Sequence, residues 1–263
     1  MTTPGRVIVG TANWNDLRGF YPRGTKASEK LAAYAARLSG VEVNATFYRM
    51  PKPETVAAWA EQTPDGFMLS LKAHRYISGL LRNPDKADAT GFERHLAMAR
   101  PLVEAGKFAG YLLQFPGKLS AEMDFERSLS VLREGFREVP LAVELPDSPD
   151  EDVRALIVEA LRTHNFARVR NDSIASECAP MPMDSDDLMY FRFRGPAAAS
   201  NMGDDGRVRY SDAQIKERAA IVEQASETGP MTMVVCYGKK DVDTADAALR
   251  LTAELGNRGV AVG

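Results

Sequence analysis

Eight short apolar runs alternate with helical stretches along nearly the whole chain, and that rhythm restricts the fold more than any other feature. The runs are Val7-Ile8-Val9-Gly10, Val41-Glu42-Val43-Asn44, residues 67–72, 110–115, Leu141-Ala142-Val143-Glu144, Ala167-Arg168-Val169-Arg170, 189–194 and 231–236. Strand-length runs separated by helix-length segments predict parallel strands joined by crossover helices. Eight such units within 263 residues match a closed (β/α)₈ barrel of the TIM type, whose usual length is about 250 residues.

Helical spacing supports the intervening segments. Leu31, Tyr34, Ala35 and Leu38 recur at intervals of three and four, as do Val56, Trp59 and Ala60, with Pro53 and Glu54 suited to a first turn. Further helices are predicted over 92–105, 124–136, 151–162, 211–225 and 242–255. Ser211 followed by Gln214 reads as a capping box, and Gly256 as a helix stop. The sixth and seventh units are irregular. Residues 171–187 carry Pro180, Pro182, Asp184, Asp186 and Asp187, and 195–210 carry Gly195, Pro196, Gly203 and Gly206, so both read as long loops. The whole chain, 1–263, is read as one barrel domain.

Composition narrows the setting. A hydrophobic fraction of 44% with 26% charged residues suits a globular core, and a net charge of -3 gives no global pull toward nucleic acid or an anionic membrane. The cysteines Cys178 and Cys236 stand far apart without a metal or redox motif, which predicts a reducing, cytoplasmic setting. The polar start, Met1 to Arg6, lacks a signal-peptide core, and no apolar stretch is long enough to span a membrane.

Period-two alternation then sorts each strand into a helix-facing and an interior face. Phe191 and Phe193 face outward, leaving Tyr190, Arg192 and Arg194 inward; Leu69 and Leu71 face outward, leaving Ser70 and Lys72 inward. The same rule sends Glu42, Asn44, Gln114, Glu144, Arg168 and Arg170 inside. Barrel interiors are normally filled with Val, Ile and Leu, so these polar side chains must pair with one another or meet water and ligand. One outcome is a self-satisfied network with Glu42 and Glu144 neutralising Lys72 and the arginines. The favoured outcome is a ligand pocket that uses a surplus of positive charge.

Several segments together resemble the YecE-like family, a family of unknown function with a TIM-barrel fold. They include Val9-Gly10-Thr11 with Trp14, Arg18-Gly19-Phe20-Tyr21-Pro22, and above all Val41 to Arg49, which contains Glu42-Val43-Asn44-Ala45-Thr46-Phe47-Tyr48. Lys72, Gln114-Phe115-Pro116, Glu144, Asp172-Ser173 and Arg192-Phe193-Arg194-Gly195 follow in order. The resemblance implies the barrel fold over nearly the full chain. The sequence departs from the family pattern at Ala12-Asn13 in place of Ser-Gly, and at Ser78-Gly79, Leu145-Pro146, Ser148-Pro149, Phe193-Arg194 and Tyr237-Gly238.

The chemistry these residues point to is small-molecule binding at the carboxyl ends of the strands. Arginine forks and a lysine suit a phosphate or carboxylate, and a sugar-like ligand would use aromatic walls. Trp14, Asn44, Tyr48, Gln114, Arg170, Asp172, Arg192 and Arg194 are the expected ligand-binding residues; Glu42, Lys72 and Glu144 are the expected catalytic ones if the protein is an enzyme. Glu42 or Glu144 would act as acid or base. Lys72 as a Schiff-base amine is disfavoured, because nearby glutamates would keep it protonated.

No cofactor is expected. Glu42, Glu144 and Asp172 suit a magnesium-like ion, but histidine clustering is missing: His95 and His164 fall in helical segments and read as surface residues, leaving only His74 after a strand. No P-loop, nucleophile elbow or dinucleotide fingerprint is present. The alternatives are a nucleic-acid-binding or processing protein using the same cationic mouth, disfavoured by acidic loops, and a degenerate barrel without catalysis.

Overall fold

The computed structural model describes residues 5–115, 117, 123–146, 151–172, 185–195, 207–238 and 242–263. Eight parallel strands close into a barrel in sequence order. They are β1 (Val7–Ala12), β2 (Gly40–Val43), β3 (Met68–Lys72), β4 (Phe108–Gln114), β5 (Leu141–Glu144), β6 (Ala167–Asn171), β7 (Leu188–Phe193) and β8 (Met231–Cys236). Closure runs through β1 and β8, in register from Val7 opposite Thr232 to Thr11 opposite Cys236.

The helices are α1 (Lys30–Ala35), α2 (Pro53–Glu61), α3 (Arg75–Gly79), α4 (Ala89–Glu104), α5 (Phe125–Phe136), α6 (Glu151–Thr163), α7 (Asp212–Thr228) and α8 (Thr244–Asn257). Pro53 occupies the first turn of α2, where its missing N–H has no intrahelical acceptor to serve. Among the described residues no helix separates β6 from β7. The loop expected there falls mostly on 173–184, and that between β7 and α7 mostly on 196–206; both segments lie outside the described residues, as does Cys178.

The strands divide their apolar residues between two layers. Val7, Val9, Val41, Leu69, Leu71, Tyr111, Leu113, Phe191 and Phe193 join the layer between barrel and helices. Ile8, Met68, Leu112, Ala142, Val169, Leu188, Met233 and Val235 fill the interior. Strands β1 and β2 approach so closely that a Cβ on Gly10 would lie 1.8 Å from the Gly40 carbonyl oxygen. The buried phenol of Tyr34 bridges the same pair from outside, accepting from Thr11 N–H at 2.7 Å and donating to the Gly40 carbonyl at 3.0 Å.

The capping box at α7 forms as the sequence predicts: Ser211 Oγ accepts from Gln214 N–H at 3.2 Å, and Gln214 Oε1 accepts from Ser211 N–H at 2.8 Å. Ser211→Ala should therefore lower stability by about 1 kcal/mol, read as a melting temperature about 2–4 °C below wild type; an unchanged melting curve would show that the cap contributes nothing. Gly256 is not the helix stop. α8 continues to Asn257, and the left-handed position is Gly259, with φ of 81°.

His95 is also placed differently from the sequence reading, being buried on the inner face of α4 rather than at the surface. Its Nδ1 lies 2.7 Å from the Gly91 carbonyl, and its Nε2 accepts from His74 N–H at 3.3 Å. That pattern requires the neutral tautomer with the proton on Nδ1. His164 is half-buried, with Nε2 2.6 Å from Glu126 Oε1.

Candidate functional site

The carboxyl ends of β2 to β7 bring one connected polar cluster to the barrel interior. Arg192, only 1% exposed, lies at its centre. It donates from Nη2 to Glu42 Oε1 at 2.9 Å and from Nη1 to Glu144 Oε2 at 2.7 Å. The other Glu42 oxygen accepts from the Tyr190 hydroxyl at 2.8 Å, with Ser70 Oγ 3.1 Å from that hydroxyl. Glu144 also accepts from Arg194 Nη2 at 2.7 Å, Gln114 Nε2 at 2.8 Å and Asn171 Nδ2 at 3.4 Å. All four carboxylate oxygens of the two glutamates are thus occupied.

These partners set the protonation states. Burial alone would raise the Glu144 pKa, but Arg192 and Arg194 outweigh it and hold the carboxyl below its ordinary value. Burial likewise disfavours the Arg192 charge, and Glu42 and Glu144 reverse that, raising its pKa. Tyr190 is raised well above the ordinary phenol value, by burial first and by Glu42 next. Tyr190 therefore stays a neutral hydrogen-bond donor and Arg192 a permanent cation.

The pairing differs from the sequence expectation in one consequential way. Neither glutamate neutralises Lys72. Its Nζ donates instead to the neutral Gln114 Oε1 at 2.7 Å and lies 4.7 Å from the centre of the Phe47 ring. Burial, then the Arg192 charge, bring its pKa below the ordinary lysine value, with Glu42 and Glu144 pulling the other way. Two carboxylates therefore face three cations, Lys72, Arg192 and Arg194, and the Arg194 side chain is 40% exposed at the rim.

Other expected site residues lie elsewhere. On β6, Ala167 and Val169 fill the interior, so Arg168 and Arg170 point outward; Arg170 lies 5.9 Å from the ring of the outward-facing Phe191. Arg168 and Arg170 are buried on that outer face, and the small apolar side chains of Ala167 and Val169 complete the interior layer instead. Asp172 also leaves the mouth. Its buried carboxylate accepts from Arg194 N–H at 2.7 Å, Arg218 Nε at 3.0 Å and the Tyr210 hydroxyl, fastening β7 to the region of α7. Glu42, Glu144 and Asp172 therefore cannot share a metal ion. Among the described residues no group of three or more His, Cys, Asp and Glu side chains is arranged to hold one.

Trp14 is buried in the layer between barrel and helices, edge-on to Trp59 with ring centres 5.5 Å apart. Its ring packs within that layer. Asn44 begins a 3₁₀ turn directly after β2, and its Oδ1 is buried without a hydrogen-bond partner among the described residues. Tyr48 closes the same turn and is 72% exposed. Asn13, where the family pattern has glycine, adopts φ of 65° and accepts from Asn44 N–H at 3.0 Å through Oδ1. Asparagine tolerates that left-handed backbone better than most residues, so this departure preserves the turn.

Two contributors escaped the sequence reading. Tyr237, just beyond β8, lays its ring 4.2 Å from the Arg192 guanidinium and 6.0 Å from that of Arg194. Continuing the inward series Met233, Val235 would have found it. Asn171 would have followed from counting β6 inward from Val169.

The fold and mouth together define a (β/α)₈ barrel whose interior ends in a buried ion-pair network with an excess cation. Residues 8–262 match the family model described as "Protein of unknown function DUF72", and the chain belongs to that family. It is 26% identical over 140 residues to the UPF0759 protein YunF of Bacillus subtilis (strain 168), covering 52% of this chain and 50% of that one. It is 34% identical over 113 residues to the UPF0759 protein YecE of Escherichia coli (strain K12), covering 42% of this chain and 38% of the relative. Each match thus spans half or less of the curated relative.

Among solved structures, a DUF72 family protein of Enterococcus faecalis V583 superposes with a TM-score of 0.78 at 21% identity, covering 95% of both chains. Another, from Thermotoga maritima MSB8, gives 0.73 at 25% identity over 95% of this chain and 99% of that one. A D-allulose 3-epimerase of Methylomonas sp. gives 0.56 at 14% identity over 98% and 100%, a likeness of fold alone. No helix among the described residues is long and apolar enough to cross a membrane.

Proposed function

We propose that the barrel mouth binds a small organic anion, a carboxylate or phosphate that includes sugar-like phosphates, between Lys72 and Arg194. The observation that carries this reading is the Lys72 ammonium, which has no carboxylate partner among the described residues, donates to the neutral Gln114 and feels the charges of Arg192 and Arg194. Unsatisfied polar atoms point the same way: Arg192 Nε, Arg194 Nε and Asn44 Oδ1 are buried with no hydrogen-bond partner among the described residues. Each such atom costs about 1–3 kcal/mol unless something supplies the missing bond. An anion would satisfy the donors, and a ligand hydroxyl the Asn44 acceptor. Gln114 links Lys72 to Glu144 and would transmit ligand binding to the buried network. The buried thiol of Cys236 suits a cytoplasmic placement.

Thermal-shift titration with inorganic phosphate and 3-phosphoglycerate tests the reading. A ligand at 100 times its dissociation constant should stabilise wild type by about 2.7 kcal/mol, and Lys72→Ala or Arg194→Ala should weaken binding about tenfold or more. Lys72 loses its proton below the ordinary lysine pKa, so wild-type affinity should fall as pH rises toward that value. Lys72→Arg should hold its affinity across the same range. Equal shifts in wild type and both alanine variants would exclude the site. An oligonucleotide arm covers the other reading: affinity for it that falls steeply with salt would indicate nucleic-acid binding.

A further inference from the structure

We propose that Lys72 is a carbonyl-capturing amine, condensing with an aldehyde or ketone that also carries a carboxylate or phosphate to form a Schiff base at the barrel mouth. The choice of an anionic substrate rests on the reading above; the amine chemistry rests on the surroundings of Lys72 itself.

A lysine serves as a nucleophile when no counter-ion holds it as ammonium and neighbouring cations make its charge unfavourable. Both conditions are built here. The two glutamates close enough to keep Lys72 protonated are saturated: Glu42 by Arg192 and Tyr190, Glu144 by Arg192, Arg194, Gln114 and Asn171. Lys72 is left with an uncharged amide oxygen at 2.7 Å and the face of Phe47. Its amine is half-buried at the end of β3, which fixes the stem, while the Gln114 hydrogen bond fixes the head. The lowered pKa of this amine, caused first by burial and then by Arg192, is what such an arrangement should produce.

The chemistry balances without a redox partner. The neutral amine adds to the carbonyl carbon, forming a C–N bond as the C=O π pair moves to oxygen and takes up a proton. The resulting carbinolamine loses that oxygen as water, with one proton from nitrogen or solvent, and a C=N bond forms. The protonated imine carries one positive charge, the same as the ammonium it replaces, so the charge balance with Glu42, Glu144, Arg192 and Arg194 is unchanged. Arg194, partly exposed at the rim, would hold the substrate's anionic group while Lys72 holds its carbonyl carbon.

Reductive trapping decides the matter. Wild type is incubated with sodium cyanoborohydride and glyoxylate, glyceraldehyde 3-phosphate or, as the uncharged comparison, glyceraldehyde, and the modified lysines are mapped by peptide mass. The expected result is one adduct per chain, on Lys72, formed about tenfold faster or more with the anionic carbonyls. Lys72→Arg, shown folded by circular dichroism, should give no adduct at that peptide. Modification spread over exposed lysines such as Lys26, Lys52 and Lys86, with Lys72 no faster than these, would overturn the proposal even without a folded variant.

Inorganic phosphate, which has no carbonyl, separates the two readings. Phosphate binding without trapping at Lys72 sinks the amine and leaves the anion site standing. Trapping at Lys72 that is equally fast with glyceraldehyde, with no phosphate binding, keeps the amine and removes the anion site.

Discussion

Arg192→Met should lower stability by about 3–5 kcal/mol, the effect expected when one partner is removed from a buried ion pair, and the melting temperature by about 10 °C or more. Arg192 is 1% exposed and, among the described residues, is the one side chain that bonds both Glu42 and Glu144. Without it the Glu42 carboxylate retains, among the described residues, the Tyr190 hydroxyl alone. Glu144 retains Arg194, Gln114 and Asn171, so the larger part of the loss falls on Glu42.

That asymmetry gives the control. Adding Glu42→Gln to Arg192→Met should recover part of the loss, because it removes the uncompensated charge while keeping a group that can meet Tyr190. Glu144→Gln should add less. The folded-state pKa of Glu144 is lowered, so its share of stability is present above its unfolded value and is lost as pH falls through the folded one; Arg192→Met should shrink that acid-side loss. A melting temperature within about 2 °C of wild type, less than one kcal/mol would give, would mean the network is not what holds the interior polar layer together.

The architecture was legible because a barrel strand writes its geometry into a short stretch of chain. Alternation within β3 separates Leu69 and Leu71 from Ser70 and Lys72, and within β7 it separates Phe191 and Phe193 from Tyr190 and Arg192, as the two apolar layers require. Which inward residues pair was not legible. Glu42 and Arg192 are 150 positions apart and meet only when the barrel closes; sequence alternation assigns a face, not a partner across the interior. The assumption that Lys72 would take a glutamate followed from charge alone, and it failed because a guanidinium can bind two carboxylates at once while an ammonium cannot match that fork.

The β6 error has a different origin. In Ala167-Arg168-Val169-Arg170 the apolar positions are as regular as elsewhere, but alternation gives two faces without saying which is inward, and only the register with β5 and β7 settles it. His95 was missed although the signal existed: Phe92, His95, Ala99 and Leu102 share one face of α4, at the same three-and-four spacing that located the other helices. Residue type alone points such a histidine to the surface, whereas its position on that face points it inward.

Acidification should expose the consequence of that burial. Burial is the main cause that brings the His95 pKa down from 6.5 to about 4 in the folded protein. A base with a depressed folded pKa binds protons more readily when unfolded, so its penalty is absent above pH 6.5 and grows as pH falls, reaching its full size below about pH 4. A shift of that size corresponds to roughly 3 kcal/mol. His95→Gln removes the titration while leaving an amide oxygen able to accept from His74 N–H, so the informative quantity is the slope and not the starting stability. Between pH 6.5 and 4, wild type should lose roughly 3 kcal/mol more than His95→Gln in denaturant titrations; parallel curves would show that His95 is not buried as a neutral ring. The effect reaches the mouth as well. Protonating Nε2 deletes the acceptor for His74 N–H, two residues beyond Lys72, so the turn that follows β3 should loosen in the same pH window, and amide exchange at His74 should rise with it. The site and the acid sensitivity of the fold would then share one half-buried hydrogen bond, between the turn that follows a barrel strand and the helix packed behind it.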